Sequence, residues 1–163
     1  MITQFGNTWW GEQWLNALSN IDFSNRLPRG KTYARKGAVK DIRFKKNEIE
    51  ARVQGTRPSP YKIKISVPLF SDSDNREIIS TITQNPLILS KLLNRELPKE
   101  LHGMAREKKI RIFPSSWTDF EMTCSCPDWA VPCKHLASVI YVIANEIDRN
   151  PFIIFQLHGL DIL

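Results

Sequence analysis

The sequence predicts an α+β protein in which helices pack on a small antiparallel sheet. Residues 61–67 alternate between apolar and polar side chains, with Lys62 and Lys64 on the polar face, and this period of two is typical of a half-buried strand. Residues 134–148 instead keep their apolar side chains at helical spacing. Because antiparallel sheets commonly bury one face and expose the other, the lysine face is expected to meet solvent.

The composition is that of a folded chain. The 163 residues are 42% hydrophobic and 25% charged, which provides a core and excludes a disordered protein. This length accommodates one domain, or a domain with a small appended module. We expect a basic α+β body over residues 1–107, followed by a metal-binding region with the C-terminal helix over residues 108–163.

Residues 8–20 are predicted to form the first helix. Thr8 suits its N-cap, and Trp10, Trp14 and Leu18 recur at i, i+4 and i+8, so they share one face. We expect that face to pack into the core. A stacking platform for nucleic-acid bases is the alternative use of these tryptophans.

The pattern changes to strand between residues 31 and 67. Alternating runs cover residues 38–44, 48–54 and 61–67, with a turn at Lys46-Asn47 and a break from Gly55 to Pro60. In the first run, alternation places Asp41 and Arg43 on the polar face. These runs predict a small antiparallel sheet with a basic outer face.

The remaining elements follow from proline positions and apolar spacing. Residues 75–101 are expected to be helical, with Pro86 starting a second segment that Pro98 closes. Short strands are expected over residues 108–113 and 117–124. The helix over residues 134–148 is followed by a short apolar segment, PFIIFQL, that is expected to pack on the core.

The sequence gives no sign of a membrane or secreted protein. No run approaches the roughly 20 consecutive apolar residues of a membrane-spanning helix, and the N-terminus lacks the character of a signal peptide. Three cysteines are too few, and odd in number, for a secreted disulfide scaffold. We expect a cytoplasmic protein in which clustered cysteines bind metal.

The strongest chemical signal is the segment CSCPDWAVPCKH, residues 124–135, which contains every cysteine of the chain. Zinc prefers four tetrahedral ligands, and three cysteines with one histidine form one of its closed structural sites. We therefore expect one structural Zn²⁺. The predicted ligands are Cys124, Cys126, Cys133 and His135.

The spacing of these ligands also constrains the local structure. Side chains at i and i+2 share one face of an extended strand, so Cys124 and Cys126 can reach one ion. In a helix, positions i and i+2 lie about 200° apart. Cys133 is therefore expected in the loop after Pro132, with His135 in the first turn of the following helix.

Other uses of the cluster are less favoured. The plainest alternative is three buried thiols beside a packed histidine. A catalytic zinc usually keeps an open position for water, which a metal-dependent hydrolase would need and four protein ligands do not leave. Redox use of Cys124 or Cys126 would depart from the usual C-x-x-C exchange motif.

The spacing C-x-C-x6-C-x-H resembles the SWIM zinc-finger signature at all four ligand positions. The segments FGNTWWGEQW, RLPRGKTYARKGAV, ARVQGTRPSPYKI and CKHLASVIYVIANEIDRNPF also resemble bacterial SWIM zinc-finger proteins that accompany Swi/Snf-type helicases. The resemblance implies a C-terminal ββα-like SWIM zinc finger that interacts with DNA or protein, and a helicase-like ATPase partner. The chain has no Walker-type G-x-x-x-x-G-K-[ST], so it is not itself expected to be the ATPase.

Positive charge is concentrated in the N-terminal part. Residues 1–70 contain 13 Lys/Arg against 5 Asp/Glu, a net of +8, whereas residues 71–163 contain 10 against 12, a net of −2. Such asymmetry suggests a polyanionic partner, although a solvated basic face is the alternative. The residues predicted to contact nucleic acid, DNA being favoured, are Arg26, Arg29, Lys31, Arg35, Lys36, Lys40, Arg43, Lys62 and Lys64.

These observations favour a non-enzymatic, zinc-stabilised accessory protein that binds nucleic acid. The alternative is a protein–protein adaptor in which Trp129 and Val131 of the ligand loop dock a partner and the basic face is incidental. His102 and His158 are isolated in the sequence and are expected to serve packing or the surface.

Overall fold

The computed structural model describes residues 4–18, 26–127 and 132–162 and confirms the α+β class. Two short 3₁₀ helices cover Leu15–Leu18 and Trp117–Asp119. The strands are β1 (Val39–Lys45), β2 (Glu48–Val53), β3 (Tyr61–Ser66) and β4 (Glu121–Cys124). The α-helices are α1 (Trp9–Trp14), α2 (Arg26–Arg35), α3 (Asp72–Gln84), α4 (Pro86–Leu93), α5 (Lys99–Glu107), α6 (Lys134–Arg149) and α7 (Phe152–Leu157).

The four strands pair antiparallel in the order β1-β2-β3-β4. Their inner face buries apolar side chains such as Ile49, Ile63 and Ile65, and their outer face is polar. The predicted strands over residues 48–54 and 61–67 and the turn at Lys46-Asn47 are confirmed. The outer face presents Lys40, Arg43, Lys45, Glu48, Glu50, Arg52, Lys62, Lys64, Ser66, Glu121 and Thr123.

A bulge in β1 changes which of its side chains share a face. Lys40 lies opposite Arg52 while Arg43 lies opposite Glu50, so three steps along β1 match two along β2. Asp41, inside the bulge, has φ of 55°, the left-handed conformation that Asp tolerates better than most residues. Lys40 and Arg43 would face opposite ways in a regular strand, but the extra residue brings both to the outer face.

Helix α6 lies at the centre of the molecule and is buried on most sides. It packs against α1, α2 and the inner face of the sheet. The indole N–H groups of Trp10 and Trp14 donate to the carbonyls of Ile147 and Ile140, at 2.8 and 3.0 Å. The expectation that these tryptophans belong to the core is confirmed, and Thr8 caps α1 as predicted, accepting from the amide of Gly11.

The prediction of strand over residues 31–35 is wrong, because this stretch completes helix α2. Leu27, Gly30 and Ala34 are buried along one side of the helix. A Cβ atom at Gly30 would lie 2.8 Å from the Cβ of Ala137, so the glycine allows α2 to approach α6 closely. Close packing against α6, which Gly30 makes possible, thus stabilises α2 as a helix.

The helices between residues 72 and 107 end differently from prediction. The segment expected to continue to Pro98 ends at Leu93, because Arg95 adopts φ of 59° and its amide bonds the carbonyl of Leu92. Pro98 precedes α5 rather than merely closing α4. The end of α4 and the start of α5 therefore depend on backbone conformations that the sequence pattern does not reveal.

The strand expected over residues 108–113 is also wrong. Lys109 has φ of 61° and ends α5, with the amide of Ile110 bonded to the carbonyl of Ala105, the arrangement of a Schellman motif. Ile110 and Ile112 are buried, but the backbone around them is irregular and forms no strand. Likewise, the strand expected over residues 117–124 begins as a 3₁₀ helix and is extended only from Glu121.

Helix α6 and the buried C-terminal segment agree with prediction. The boundary proposed at residue 107 stays a prediction, and the core contains residues from both sides of it. His158 is buried, with its ring nitrogens 2.6 and 2.7 Å from the carbonyl oxygens of Pro68 and Ile112. Within the described ranges, none of the helices has the length and apolar character of a transmembrane helix.

We predict that Asp148→Ala lowers the free energy of unfolding by about 2 kcal/mol, the scale of hydrogen bonds to a charged group. Its carboxylate accepts from the amides of Asn7 and Thr8 at 2.8 and 3.0 Å, joining the start of α1 to the end of α6. Denaturant unfolding measures the change. The control is Glu107→Ala at an exposed position of α5, with an expected change within about 0.5 kcal/mol. Equal losses in the two variants would contradict the role of Asp148.

Candidate metal centre

Three consecutive pieces of structure bring the predicted ligands together. Cys124 ends β4, Cys126 follows two residues later, and Cys133 is the N-cap of α6. His135 lies in the first turn of that helix, as expected. One potential ligand atom from each of the four side chains lies within 4.8 Å of all the others.

The distances fit a tetrahedral zinc site. With Zn–S of about 2.3 Å and Zn–N of about 2.0–2.1 Å, a sulfur and a nitrogen ligand lie about 3.6 Å apart. The Sγ atoms of Cys124 and Cys133 are each 3.9 Å from Nδ1 of His135. The donor set therefore suits one zinc ion, with Nδ1 of the imidazole toward the metal.

The electrostatics of the thiols also suit a cation. A hydrogen bond from the Cys124 thiol, aided by the His135 ring and the Leu136 amide, lowers the pKa of Cys133 well below its ordinary value. The same Cys124–Cys133 hydrogen bond, together with burial, raises the pKa of Cys124 above its ordinary value. A metal ion replaces the shared proton, so zinc binding releases protons and stabilises neighbouring thiolates.

Pairing of β4 with β3 fixes the position of the first ligand. Cys124 lies opposite Ile63, so its side chain faces inward toward α6. Beyond it, Ser125 donates its amide to the carbonyl of Lys62 at 3.1 Å and accepts from the amide of Lys62 at 2.9 Å. Hydrogen bonds to β3 thus continue to Ser125, the residue before the ligand Cys126.

Two tyrosines from the N-terminal part enclose the histidine ligand. The His135 ring stacks on Tyr33 of α2, with centroids 5.4 Å apart and planes 17° apart. Its centroid is 4.4 Å from that of Tyr61 on β3. The orientation of this ligand therefore depends on α2 and β3 as well as on α6.

Cations cover the outer sides of both tyrosines. The ammonium of Lys134 lies 5.9 Å from the Tyr33 centroid, and the guanidinium of Arg57 lies 4.1 Å from that of Tyr61. Three thiolates, one imidazole and Zn²⁺ would sum to about −1, which these cations and the N-terminus of α6 would offset. Neither Tyr61 nor Arg57 was predicted to lie at the site. The alternation of residues 61–67 indicates only that Tyr61 faces inward, and nothing in the sequence indicates the contact of Arg57.

Gly55 leaves room for this arrangement. A Cβ atom there would lie 2.5 Å from the Tyr61 ring and 3.6 Å from Nε2 of His135. The glycine was read from sequence only as a strand break. Its position against the ring shows that a side chain would displace Tyr61 and disturb the histidine.

The structure distributes the predicted nucleic-acid contacts over two surfaces. Arg29, Lys31 and Arg35 are exposed on α2 and Lys36 in the turn after it, whereas Lys40, Arg43, Lys62 and Lys64 are exposed on the outer face of the sheet. The side chain of Arg26 lies outside the described residues, as do Asp128, Trp129 and Val131 of the ligand loop. The contacts themselves stay a prediction.

Ion pairs divide the outer face of the sheet into two halves. Lys45 pairs with Glu50 at 3.2 Å, and Lys64 with Glu48 at 3.4 Å. At the other end of the strands, Arg52 is exposed beside Lys62. Sequence reasoning did not select Arg52, because only the strand register places it between two other cations.

The four-ligand site is that of a structural zinc finger. Residues 119–144 match the SWIM zinc finger family, and this match includes all four ligands. The chain is also similar to the uncharacterized protein Rv2102 of Mycobacterium tuberculosis (strain ATCC 25618 / H37Rv), with 38% identity over 152 residues. The alignment covers 93% of this chain and 55% of the relative, so the chain spans about half of that protein's length. No solved structure shows a significant match.

We predict that Cys133→Ser or His135→Ala yields metal-poor protein with a much lower melting temperature. Structural zinc contributes an apparent binding free energy of about 10–16 kcal/mol in finger peptides, comparable to the stability of a whole domain. Metal analysis of purified protein and thermal unfolding measure the two effects. Full zinc occupancy with an unchanged melting temperature in either variant would refute the ligand assignment.

A second prediction concerns the glycine beside the tyrosine. Gly55→Ala should accelerate zinc transfer to a chromogenic chelator, because the added methyl group displaces Tyr61 from His135. The matched control is Gly103→Ala in α5, where a Cβ atom meets nothing within 4 Å and helix propensity gains about 1 kcal/mol. If both variants release zinc at the wild-type rate, Gly55 does not protect the site.

Proposed function

We propose that this chain is a non-enzymatic accessory protein of the cytoplasm that binds nucleic acid, with DNA favoured, and works with a Swi/Snf-type helicase. In this proposal zinc holds the finger together and the basic surfaces contact phosphates. The helicase partner rests on the sequence resemblance alone. The SWIM finger itself is a nucleic-acid or protein interaction module.

One observation supports the nucleic-acid part above all others. Six of the predicted contact residues are exposed and make no ion pair with any described carboxylate: Arg29, Lys31, Lys36, Lys40, Arg43 and Lys62. Pairs of opposite charge stabilise helix and sheet surfaces, and these six cations contribute no such pair with a described carboxylate. Unmatched cations keep their full charge for phosphates and release counterions on binding.

Two tyrosines connect the metal centre to the basic surfaces on α2 and on the sheet. Tyr33 extends from α2, which bears exposed cations, and stacks on the ligand His135. Tyr61 begins β3, which bears Lys62 and Lys64, and contacts the same ring. Zinc would therefore stabilise the relative placement of the two basic surfaces, a structural role that needs no open coordination position.

A protein–protein adaptor is the second candidate. Helix α4 exposes Leu87, Leu89 and Leu93, which are 65%, 40% and 63% accessible. Apolar side chains exposed along one short helix suit contact with a protein rather than with phosphates. On this alternative the helicase would bind the chain directly and DNA would not.

We predict salt-sensitive binding of fluorescent DNA by zinc-loaded protein, measured by anisotropy. The affinity should fall steeply between about 50 and 200 mM salt, since each released counterion adds to the slope of log K against log salt. Single-stranded and duplex probes identify the preferred form. Absence of binding at low salt, with retained binding of purified helicase, would reject the nucleic-acid proposal and favour the adaptor.

A further inference from the structure

The outer face of the sheet contains three cations in one line across the strands. Lys40 on β1 lies directly opposite Arg52 on β2, and Arg52 lies directly opposite Lys62 on β3. All three side chains are exposed. We refer to Lys40, Arg52 and Lys62 as the cationic row.

This row is unfavourable for the isolated protein. Like charges directly opposite on neighbouring strands destabilise a sheet. None of the three residues forms an ion pair with a described carboxylate, although the adjacent half of the same face is matched by Lys45–Glu50 and Lys64–Glu48. Three positive charges without ion-pair partners among the described carboxylates therefore lie side by side on the sheet, where they repel one another.

The bulge in β1 creates the row. By adding one residue, it turns both Lys40 and Arg43 outward, so Arg43 extends the positive region along β1. A shallow trough on this face is lined by Arg43, Arg52, Lys62 and Lys64, with the acidic side chains of Asp41 and Glu50. Glu50 is paired with Lys45, and Lys64 with Glu48. Arg43, Arg52 and Lys62 therefore face only Asp41, and the trough remains positive.

The chemistry of the face selects the kind of ligand. Adjacent strands lie about 4.8 Å apart, so the row spans about 10 Å, and a duplex of that length presents about six phosphate charges. The outer-face positions of the four described strands include no aromatic side chain. Base stacking, on which single-strand binding depends, is therefore not available there.

We propose that the cationic row is a phosphate-binding site for the backbone of duplex DNA, contacted without sequence recognition. The proposal rests on the proposed nucleic-acid function and assigns it to one surface, the sheet rather than α2. Arg52 is its central residue, because its guanidinium can form two hydrogen bonds with one phosphate. Ser125 and Thr123 provide neutral hydroxyl groups beside the row.

The test compares two pairs of substitutions with equal change in net charge. Arg52→Gln/Lys62→Gln removes two members of the row. Lys91→Gln/Lys108→Gln is the control and removes two cations of the helical region that are paired with Glu100 and Glu77. Duplexes of two unrelated sequences are titrated by anisotropy over a salt series, using zinc-loaded protein. Zinc content and melting temperature establish that each variant is folded.

We expect the row pair to reduce the slope of log K against log salt by about 1.8, or about 0.9 for each lost phosphate contact. The control pair should leave the slope unchanged, and both duplexes should bind alike. The single variant Arg52→Gln should reduce the slope by about 0.9 without lowering the melting temperature, because it relieves repulsion. That variant tests the site even if a double variant folds poorly.

Other results would overturn the assignment. Equal slope changes in the row pair and the control pair would show a dependence on net charge only. A slope reduced by Arg29→Gln/Lys36→Gln but not by the row pair would place the contact on α2 and the turn after it, leaving the proposed function standing. Wild-type protein that binds single-stranded DNA but no duplex would reject the row alone. Wild-type protein that binds neither form at low salt would reject both the row and the proposed function.

Discussion

The junction between strand β4 and helix α6 is the constraint on which the rest of the structure depends. Cys124 ends the strand and Cys133 caps the helix, so the ligand set fixes where α6 starts relative to the sheet. That helix is the common packing partner of α1, α2 and the sheet. A shift of α6 would therefore alter the packing of α1, α2 and the sheet.

This arrangement explains the positions of two glycines that pack against α6. Gly30 lets α2 approach the first turns of α6, and Gly11 leaves room for Asp148 at the other end of the helix, where a Cβ atom would lie 2.0 Å from the carboxylate. Both ends of α6 are thus attached to N-terminal segments. Buried residues of the finger and of the N-terminal helices belong to one hydrophobic cluster.

What could be predicted from the sequence was what local spacing determines. The ligands Cys124, Cys126, Cys133 and His135 lie within twelve consecutive residues, and the alternation of β2 and β3 is strict, so both could be derived from short segments. The helix ends at Arg95 and Lys109 could not, because left-handed residues there are neither glycine nor asparagine. For α2, Pro28 and Gly30 lower helix propensity, and only contact with α6 compensates.

The surroundings of the candidate site depend on register and long-range packing, which explains why they were missed. Tyr61 reaches His135 across a separation of 74 positions, and nothing in the sequence near either residue indicates that contact. Arg52 is one of many basic residues until the pairing of β1, β2 and β3 aligns it with two others. Local patterns identify the metal ligands, whereas the fold decides which tyrosines and cations surround them.

The bulge at Asp41 has a consequence for self-association. Strand β1 is an edge of the sheet, and its unpaired backbone groups could otherwise template the addition of a strand from another copy. The left-handed residue interrupts the regular spacing of those groups and twists the edge, which makes continuous pairing with a second chain unfavourable. The same irregularity that directs side chains outward thus disfavours strand addition at the β1 edge of the sheet.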